Sequence, residues 1–324
     1  MSELTYLEAI REGIWEEMER DDRVFMLGED IGAYGGAFKL SAGMLERFGP
    51  RRIVDTPLAE NAFLGAAIGA AMMGLCPIVE LQFADFITTA YDQIVNYAAK
   101  ARYRWGAGVP MVIRGPSGGG VHGGPFHSNN PEMPFVHTPG LKVVVPASAC
   151  DAKGLIKAAI RDPDPVLFFE HKLLYRRIKE EIPREDFVVP LGKARIARAG
   201  KDVSVITYGA MVFVALEAAE ALAREGLDVE VIDLRCLVPL DEAAVLASVR
   251  KTNRAILLHE DTRNGGFAGE LAARIAQHAF ADLEAPVMRV TAPDCPVPFS
   301  TPLEEAFLPQ AKDVIEAARQ LKAY

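Results

Sequence analysis

Strand-like and helix-like segments alternate along almost the whole of this 324-residue chain, and they do so in two separate series. After an amphipathic N-terminal helix, the short apolar runs RVFMLGED, RIVDTP, CPIVELQF, PMVIRGP, LKVVVP and PVLFFE read as buried strands. Helical stretches separate several of them, including ADFITTAYDQIVNYAAKARYRWG and CDAKGLIKAAIRDP. The rhythm breaks over residues 176–200, RRIKEEIPREDFVVPLGKARIARAG, which are charged, punctuated by proline and without period, as suits a linker. A second series then runs through DVSVITYG, AMVFVALEAAEALAREG, DVEVIDLRCLVPL, AILLHED, a helix near 268–280 and VMRVTAPD. Parallel strands need crossover connections, so this alternation predicts an α/β chain with two parallel-sheet domains. We place them at residues 1–185 and 201–324, with 186–200 as the linker.

Composition narrows the function classes. The length fits two domains, and a net charge of −9 gives no electrostatic footprint for nucleic acid or an anionic membrane. No run approaches the roughly 18 apolar residues of a spanning helix. The start, MSELTYLEAIREGIWEEMERDD, lacks the basic opening and apolar centre of a signal peptide. Cys76, Cys150, Cys236 and Cys295 lie far apart, with no CxxC and no histidine at ligand spacing, and read as buried, reduced thiols of a cytoplasmic protein. There is no GxSxG elbow, HExxH or Walker pair, which leaves a free-standing hydrolase or nucleoside triphosphatase with little support.

Four stretches carry candidate chemistry. In DTPLAEN, Thr56 reads as a helix N-cap, Pro57 as the first helical residue and Glu60 as a first-turn acid. Complementing the helix dipole, worth roughly 0.3–1 kcal/mol, is the plain alternative for Glu60. The helix it opens, ENAFLGAAIGAAMMG, scatters Gly65, Gly69 and Gly74 among alanines. Glycine lowers helix stability by up to ~1 kcal/mol relative to alanine, so small residues all round suggest a fully buried helix at a domain or subunit contact. Glu60 is then drawn inward, where a desolvated carboxyl can share a proton with a ligand. In ELQFADF, Gln82 stands among Phe83 and Phe86 at a strand end; these are ordinary core aromatics or one side of a pocket for a flat heterocycle. The last stretch, GPSGGGVHGGPFHSNNPEMP, has no apolar period and leaves a strand's C-terminal end, where α/β sheets bind ligands. It holds His122 and His127, either exposed loop residues or proton-transfer groups.

Taken together, GEDIGAYGGAFK, RIVDTPLAEN, ELQFADF, FHSNNPE, HTPGLKVVVPASACDAKGLIKAAIRDPDP and VLFFEHKLLYR resemble one family from about residue 3 to the C-terminus. They are similar to the β subunit of the thiamine-diphosphate-dependent first component of 2-oxo acid dehydrogenase complexes. ELQFADF and FHSNNPE look most like the branched-chain type. The resemblance implies a pyrimidine-binding domain followed by a transketolase C-terminal-like domain. It also implies an α subunit in an α2β2 assembly, because this chain lacks the GDG…N motif that holds Mg²⁺ on the diphosphate. Carried over by position, Glu60 bonds the aminopyrimidine, Leu58, Gln82 and Phe86 line its pocket, and His127 is the active-site histidine. His122 matches no assigned residue, and His137 orders the loop. A potassium ion is implied at Ala159, Asp162 and Asp164 with carbonyls near Met111 and Val112; branched-chain relatives have Asn where this chain has Asp164. The second domain is expected to contact the subunit-binding domain of the dihydrolipoyl acyltransferase core, with Tyr324 a candidate contact.

The reading that follows is oxidative decarboxylation of a branched-chain 2-oxo acid, in branched-chain amino acid catabolism, with reductive acylation of the lipoyl group. The alternatives are the same chemistry on pyruvate or acetoin, or a non-catalytic assembly scaffold. Retention of both Glu60 and His127 counts against the scaffold.

Overall fold

A computed structural model describes residues 2–324 and divides the chain into two compact units. The first takes the chain up to Ser117, then Pro134–Leu191 and Leu237–Pro239. The second takes Gly118–Met133, Gly192–Cys236 and Leu240–Tyr324. The strands are β1 (Ser2–Thr5), β2 (Val24–Gly28), β3 (Ile53–Asp55), β4 (Cys76–Glu80), β5 (Val112–Ser117), β6 (Lys142–Val144), β7 (Val166–His171), β8 (Lys179–Ile182), β9 (Arg195–Arg198), β10 (Val203–Thr207), β11 (Val229–Asp233), β12 (Cys236–Val238), β13 (Ala255–Thr262) and β14 (Met288–Ala292).

In the first unit a seven-stranded sheet runs β3-β2-β4-β5-β7-β6-β12, with the pairings among β2 to β7 all parallel. Every residue of β4, β5 and β7 is buried, so these strands are largely apolar and show no alternating solvent face. An antiparallel ribbon of β1 and β8 lies apart from this sheet. Thr5 ends β1 and caps helix Tyr6–Arg20 through a reciprocal box: Glu8 N–H donates to Thr5 Oγ1 (3.2 Å) and Thr5 N–H to Glu8 Oε2 (2.8 Å). This helix packs on helix Ala149–Ile160 at Gly13, where a Cβ would come within 2.7 Å of Ile156 Cγ2. Glu12 and Glu16 hold the buried Lys153 ammonium across the same contact at 2.8 and 2.7 Å.

The second unit is built on a five-stranded sheet, β14-β13-β10-β11-β9. Its β10, β11, β13 and β14 pair in parallel, while β9 is an antiparallel edge. Helices Met211–Ala223, Glu242–Thr252, Phe267–His278 and Ala311–Lys322 complete it.

Several expectations need correction. The segment 176–200 is not irregular throughout, since β8 and β9 lie inside it; both are short charged edge strands, which carry no continuous apolar run to betray them. The helix expected over 84–105 is broken into a 3₁₀ segment (Ala84–Ala90), a π-turn segment (Gln93–Ala98) and a short α-helix (Ala101–Trp105). Thr88 and Thr89 donate their hydroxyls to the carbonyls of Asp85 and Phe86 (3.0 and 2.8 Å), competing with regular helical bonding. Thr56 is not an N-cap: its N–H donates to Gly28 O (3.0 Å), prolonging the extended path beside β2, and helix Glu60–Met72 begins behind Ala59 with no side-chain cap. Nor is that helix buried all round. Phe63, Leu64, Ala67, Ile68 and Ala71 face the core, while Asn61, Ala62, Ala66 and Gly69 are exposed.

At the centre of the first sheet, adjacent strands place charge where none can be hydrated. Arg114 of β5 donates Nε to Glu170 Oε1 of β7 (2.6 Å) and also bonds Glu80 of β4; Tyr175 donates its hydroxyl to Glu170 Oε2 (2.6 Å). All four are buried. Burial pushes the Glu80 carboxyl up against the pull of Arg114. Breaking a buried ion pair from one side typically costs about 3–5 kcal/mol, because the partner charge is stranded. Arg114→Met is therefore expected to lose that much in urea unfolding, and Glu80→Gln, which keeps the Arg114–Glu170 fork, clearly less; equal losses would show that the arginine fork is not the dominant contact.

Candidate active site

The site in the first unit is assembled from strand ends. β2 ends at Gly28 and delivers Glu29 and Asp30; β4 ends at Glu80 and delivers Gln82 and the aromatic pair Phe83 and Phe86. Gln82 Nε2 donates to Asp30 Oδ2 (3.0 Å), which holds the carboxamide and leaves its oxygen as an acceptor. Phe83 meets Phe86 edge to face at 6.1 Å, and Phe38 likewise at 5.6 Å. Helix Glu60–Met72 packs against the Ala84–Ala90 segment that follows β4. Glu60, only 8% exposed, lines an open depression of about 470 Å³ with Ala59, Asn61, Ala62, Gly65, Thr89 and Gln93.

Glu29 is the residue that sequence reading passed over. It is buried, and its Oε1 has no hydrogen-bond partner. Burial, then the charges of Glu60 and Asp30, push its carboxyl up to about 7. An acidic pair directly after a buried strand, in GEDIGAYGG, was the available signal. A buried acid with an unused oxygen, a second acid at a helix start, a fixed carboxamide and an aromatic wall suit a flat, nitrogen-rich ring such as an aminopyrimidine. Leu58 is 79% exposed and leaves the chain's own surface uncovered there.

His127 belongs to the second unit, in the segment Gly118–Met133. The loop closes on itself: Gly118 N–H donates to Asn129 O (3.0 Å) and Asn129 Nδ2 to Pro125 O (2.6 Å). Two buried carboxylates of the same unit hold it. Glu260 accepts from Gly119 N–H (2.5 Å) and Asn130 Nδ2 (3.1 Å), and Glu304 takes the backbone further along. Where the loop ends, Glu132 is buried with neither carboxylate oxygen bonded, and burial with Asp261 and Glu260 nearby pushes it well up. Burial also drives His259 down to about 4 and Asp261 up to about 6. Glu260 and Glu304 stand in no motif, and the loop groups they bind are more than a hundred residues away in sequence.

His137, in the first unit, is exposed; the turn there is bonded instead through Thr138, whose hydroxyl donates to Pro134 O (2.8 Å). At the position read as a potassium site the carboxylates already have cationic partners. Lys142 Nζ bonds both oxygens of Asp162 (2.5 and 2.6 Å) and Arg102 Nε bonds Asp164 (2.6 Å). Met111 O accepts from Val166 N–H and Ala159 O from Asp162 N–H, and Val112 lies buried in β5. Among the described residues no group of three or more His, Cys, Asp or Glu side chains is arranged for a metal ion, and no helix is long and apolar enough to cross a membrane. The four cysteines are free thiols; Cys295 is exposed rather than buried.

The chain matches the family model of the transketolase pyrimidine binding domain over residues 2–178 and that of the transketolase C-terminal domain over 192–314. It is 50% identical to the 2-oxoisovalerate dehydrogenase subunit beta of Bacillus subtilis, the match covering all of both chains. It is 44% identical to the pyruvate dehydrogenase E1 component subunit beta of the same organism, over 99% of each chain. Among solved structures, a split-gene transketolase described as an inactive β4 tetramer shares the fold, with a TM-score of 0.80 at 24% identity over 99% of this chain and 98% of that one. Two transketolase-type units in this order, with full-length identity of this degree, carry one conclusion: the chain belongs to the β subunits of the thiamine-diphosphate-dependent 2-oxo acid dehydrogenases.

Proposed function

We propose that this chain supplies the pyrimidine half of a thiamine diphosphate site and acts in the cytoplasm on a branched-chain 2-oxo acid. The acid is decarboxylated oxidatively and its acyl group passed to a lipoyl group. The observation that carries the reading is Glu60 at the head of its helix, set in the depression beside buried Glu29. Identity is higher to the 2-oxoisovalerate than to the pyruvate relative, which favours the branched-chain substrate over pyruvate or acetoin.

Bound thiamine diphosphate would supply the electron sink for loss of carbon dioxide. Glu60 would hold a proton at the pyrimidine ring nitrogen, the position from which a carboxyl can exchange it with a basic heterocycle. Glu29, whose acid form persists to about pH 7, limits the negative charge gathered around Glu60. Gln82 would offer its free amide oxygen to the ring's exocyclic group, with Phe86 and Leu58 covering the ring faces. His127 would donate or accept a proton at the substrate or the incoming lipoyl sulfur.

The rest of the site comes from elsewhere. This chain has no GDG motif for Mg²⁺, so an α subunit in an α2β2 heterotetramer would hold the metal and diphosphate. The second unit would dock the acyltransferase, with Tyr324, 73% exposed, available to it. A potassium ion at Ala159, Asp162, Asp164, Met111 and Val112 would have to displace Lys142 and Arg102 from the two carboxylates, so the carbonyls would be its main donors.

Reconstitution tests the shared site. The chain alone should neither bind thiamine diphosphate at micromolar concentration in calorimetry nor decarboxylate any 2-oxo acid. With its α subunit it should do both, at a higher kcat/KM on 2-oxoisovalerate than on pyruvate. Micromolar Mg²⁺-dependent binding by the β chain alone would refute the arrangement.

Glu60→Gln should assemble normally and lose about 10²–10⁴-fold in turnover at saturating cofactor, the usual worth of a general acid–base group. Turnover near wild type would return Glu60 to a helix-dipole role. The Glu29 carboxyl is raised on folding, so the native chain holds this proton more tightly than the unfolded chain between about 4.5 and about 7. Its contribution to stability therefore falls as pH rises through that window and is constant above it. Glu29→Gln should raise the thermal midpoint at pH 8, with the gain vanishing toward pH 4.5; a pH-independent difference would contradict the assignment.

A further inference from the structure

We infer that His122 and Glu304 form a positioning pair that pins the glycine loop and thereby sets where His127 stands; this rests on the reading of His127 as a proton-transfer residue. Glu304 is 1% exposed, on helix Thr301–Phe307. Its carboxylate accepts from Gly120 N–H (3.0 Å) and His122 N–H (3.1 Å), and its Oε2 lies 2.6 Å from His122 Nδ1. No lysine or arginine approaches it among the described residues, so the loop amides and one imidazole are all that compensate a carboxylate taken out of water. Successive N–H groups converge on it because Gly118, Gly120 and His122 adopt left-handed conformations (φ +83°, +78° and +60°), the arrangement of an anion-binding nest.

His122 is uncommon at such a φ, and its ring remains about half exposed while Nδ1 is tied down. The tether reaches His127 with little slack. His127 N–H donates to Gly124 O (3.3 Å), and a Cβ on Gly123 would come within 2.9 Å of His127 Cβ and 2.8 Å of Ser128 Oγ. Gly124 in turn lies on the ring of Phe299, where a Cβ would fall at 2.6 Å. Phe299 and Glu304 come from one short segment, which therefore grips the loop at Gly120, His122 and Gly124, on the way into the turn that carries His127. Catalytic geometry is sensitive to such a grip: a misplacement of about 1 Å can cost about 10²-fold.

The test uses the assembled enzyme with its α subunit and four variants. Glu304→Gln and His122→Ala should raise amide hydrogen exchange across residues 118–127 about tenfold and lower kcat for lipoyl acylation by up to about 10²-fold, with the KM for the 2-oxo acid unchanged. His122→Asn should restore both to near wild type, because a carboxamide can present an N–H where Nδ1 stands and asparagine tolerates a left-handed φ. His127→Asn should abolish acylation with the loop still protected. Two results would overturn the proposal: His122→Asn as inactive as His122→Ala while the loop stays protected, which would make His122 itself a proton carrier, or a freely exchanging loop with unchanged kcat in Glu304→Gln. Full turnover in His127→Asn would overturn the reading of His127, and the positioning role with it; the exchange data separate that failure from an unpinned loop.

Discussion

Arg114 sits where the first sheet has no access to water, and its guanidinium fork binds carboxylates from the strands on both sides. A planar five-donor cation suits this place and an ammonium does not, because two acids from two directions need diverging N–H groups. The bond Leu81 N–H to Arg114 O (3.0 Å) carries the same tie past the end of β4. Gln82, Phe83 and Phe86 leave from that strand end, and the glycine loop leaves from the end of β5. The charge cluster thus sets the departure points of the functional segments, although none of its members faces the depression holding Glu60.

The two units solve a common problem in different ways. In the first, carboxylates away from the depression are balanced by cations, as in the Arg114 fork and in the Lys153 contacts with Glu12 and Glu16. In the second, the acids around the loop have mostly backbone amides. Glu260 and Glu304 spend their acceptor capacity on N–H groups that would otherwise be orphaned in a glycine-rich turn. Glu132 has neither kind of partner and is pushed toward its neutral form. The difference follows from what each segment has to offer: glycine brings no side chain to compensate a charge, only backbone.

The buried strands were legible because parallel strands covered on both faces are mostly apolar runs, as PVLFFE and PMVIRGP are apart from Glu170 and Arg114. β8 and β9 were not legible, because KEEI and RIAR carry charges at sheet edges and their partners lie far away in sequence. Glu60 could be approached through helix punctuation even though Thr56 proved to be part of an extended segment rather than the cap. The loop announced itself by composition alone. Glu29 and Glu132 stood in quoted motifs without being singled out, and Glu304 stood in none: a carboxylate on a helix or after a strand looks like a solvated charge until tertiary contacts from remote segments bury it.

The second unit contains Gly118–Met133, yet the rest of it begins only at Gly192. A ribosome therefore releases the glycine loop long before the body that receives it. The anchors arrive in turn, Glu260 first and Glu304 nearly last, so the loop travels unheld through most of synthesis. Closing contacts between residues 120 and 304 is an event of high contact order, slow by its chain entropy. Fifteen or so residues rich in glycine and proline suit that interval well, since they present no strand edge or apolar run on which a nascent chain could misassemble while it waits.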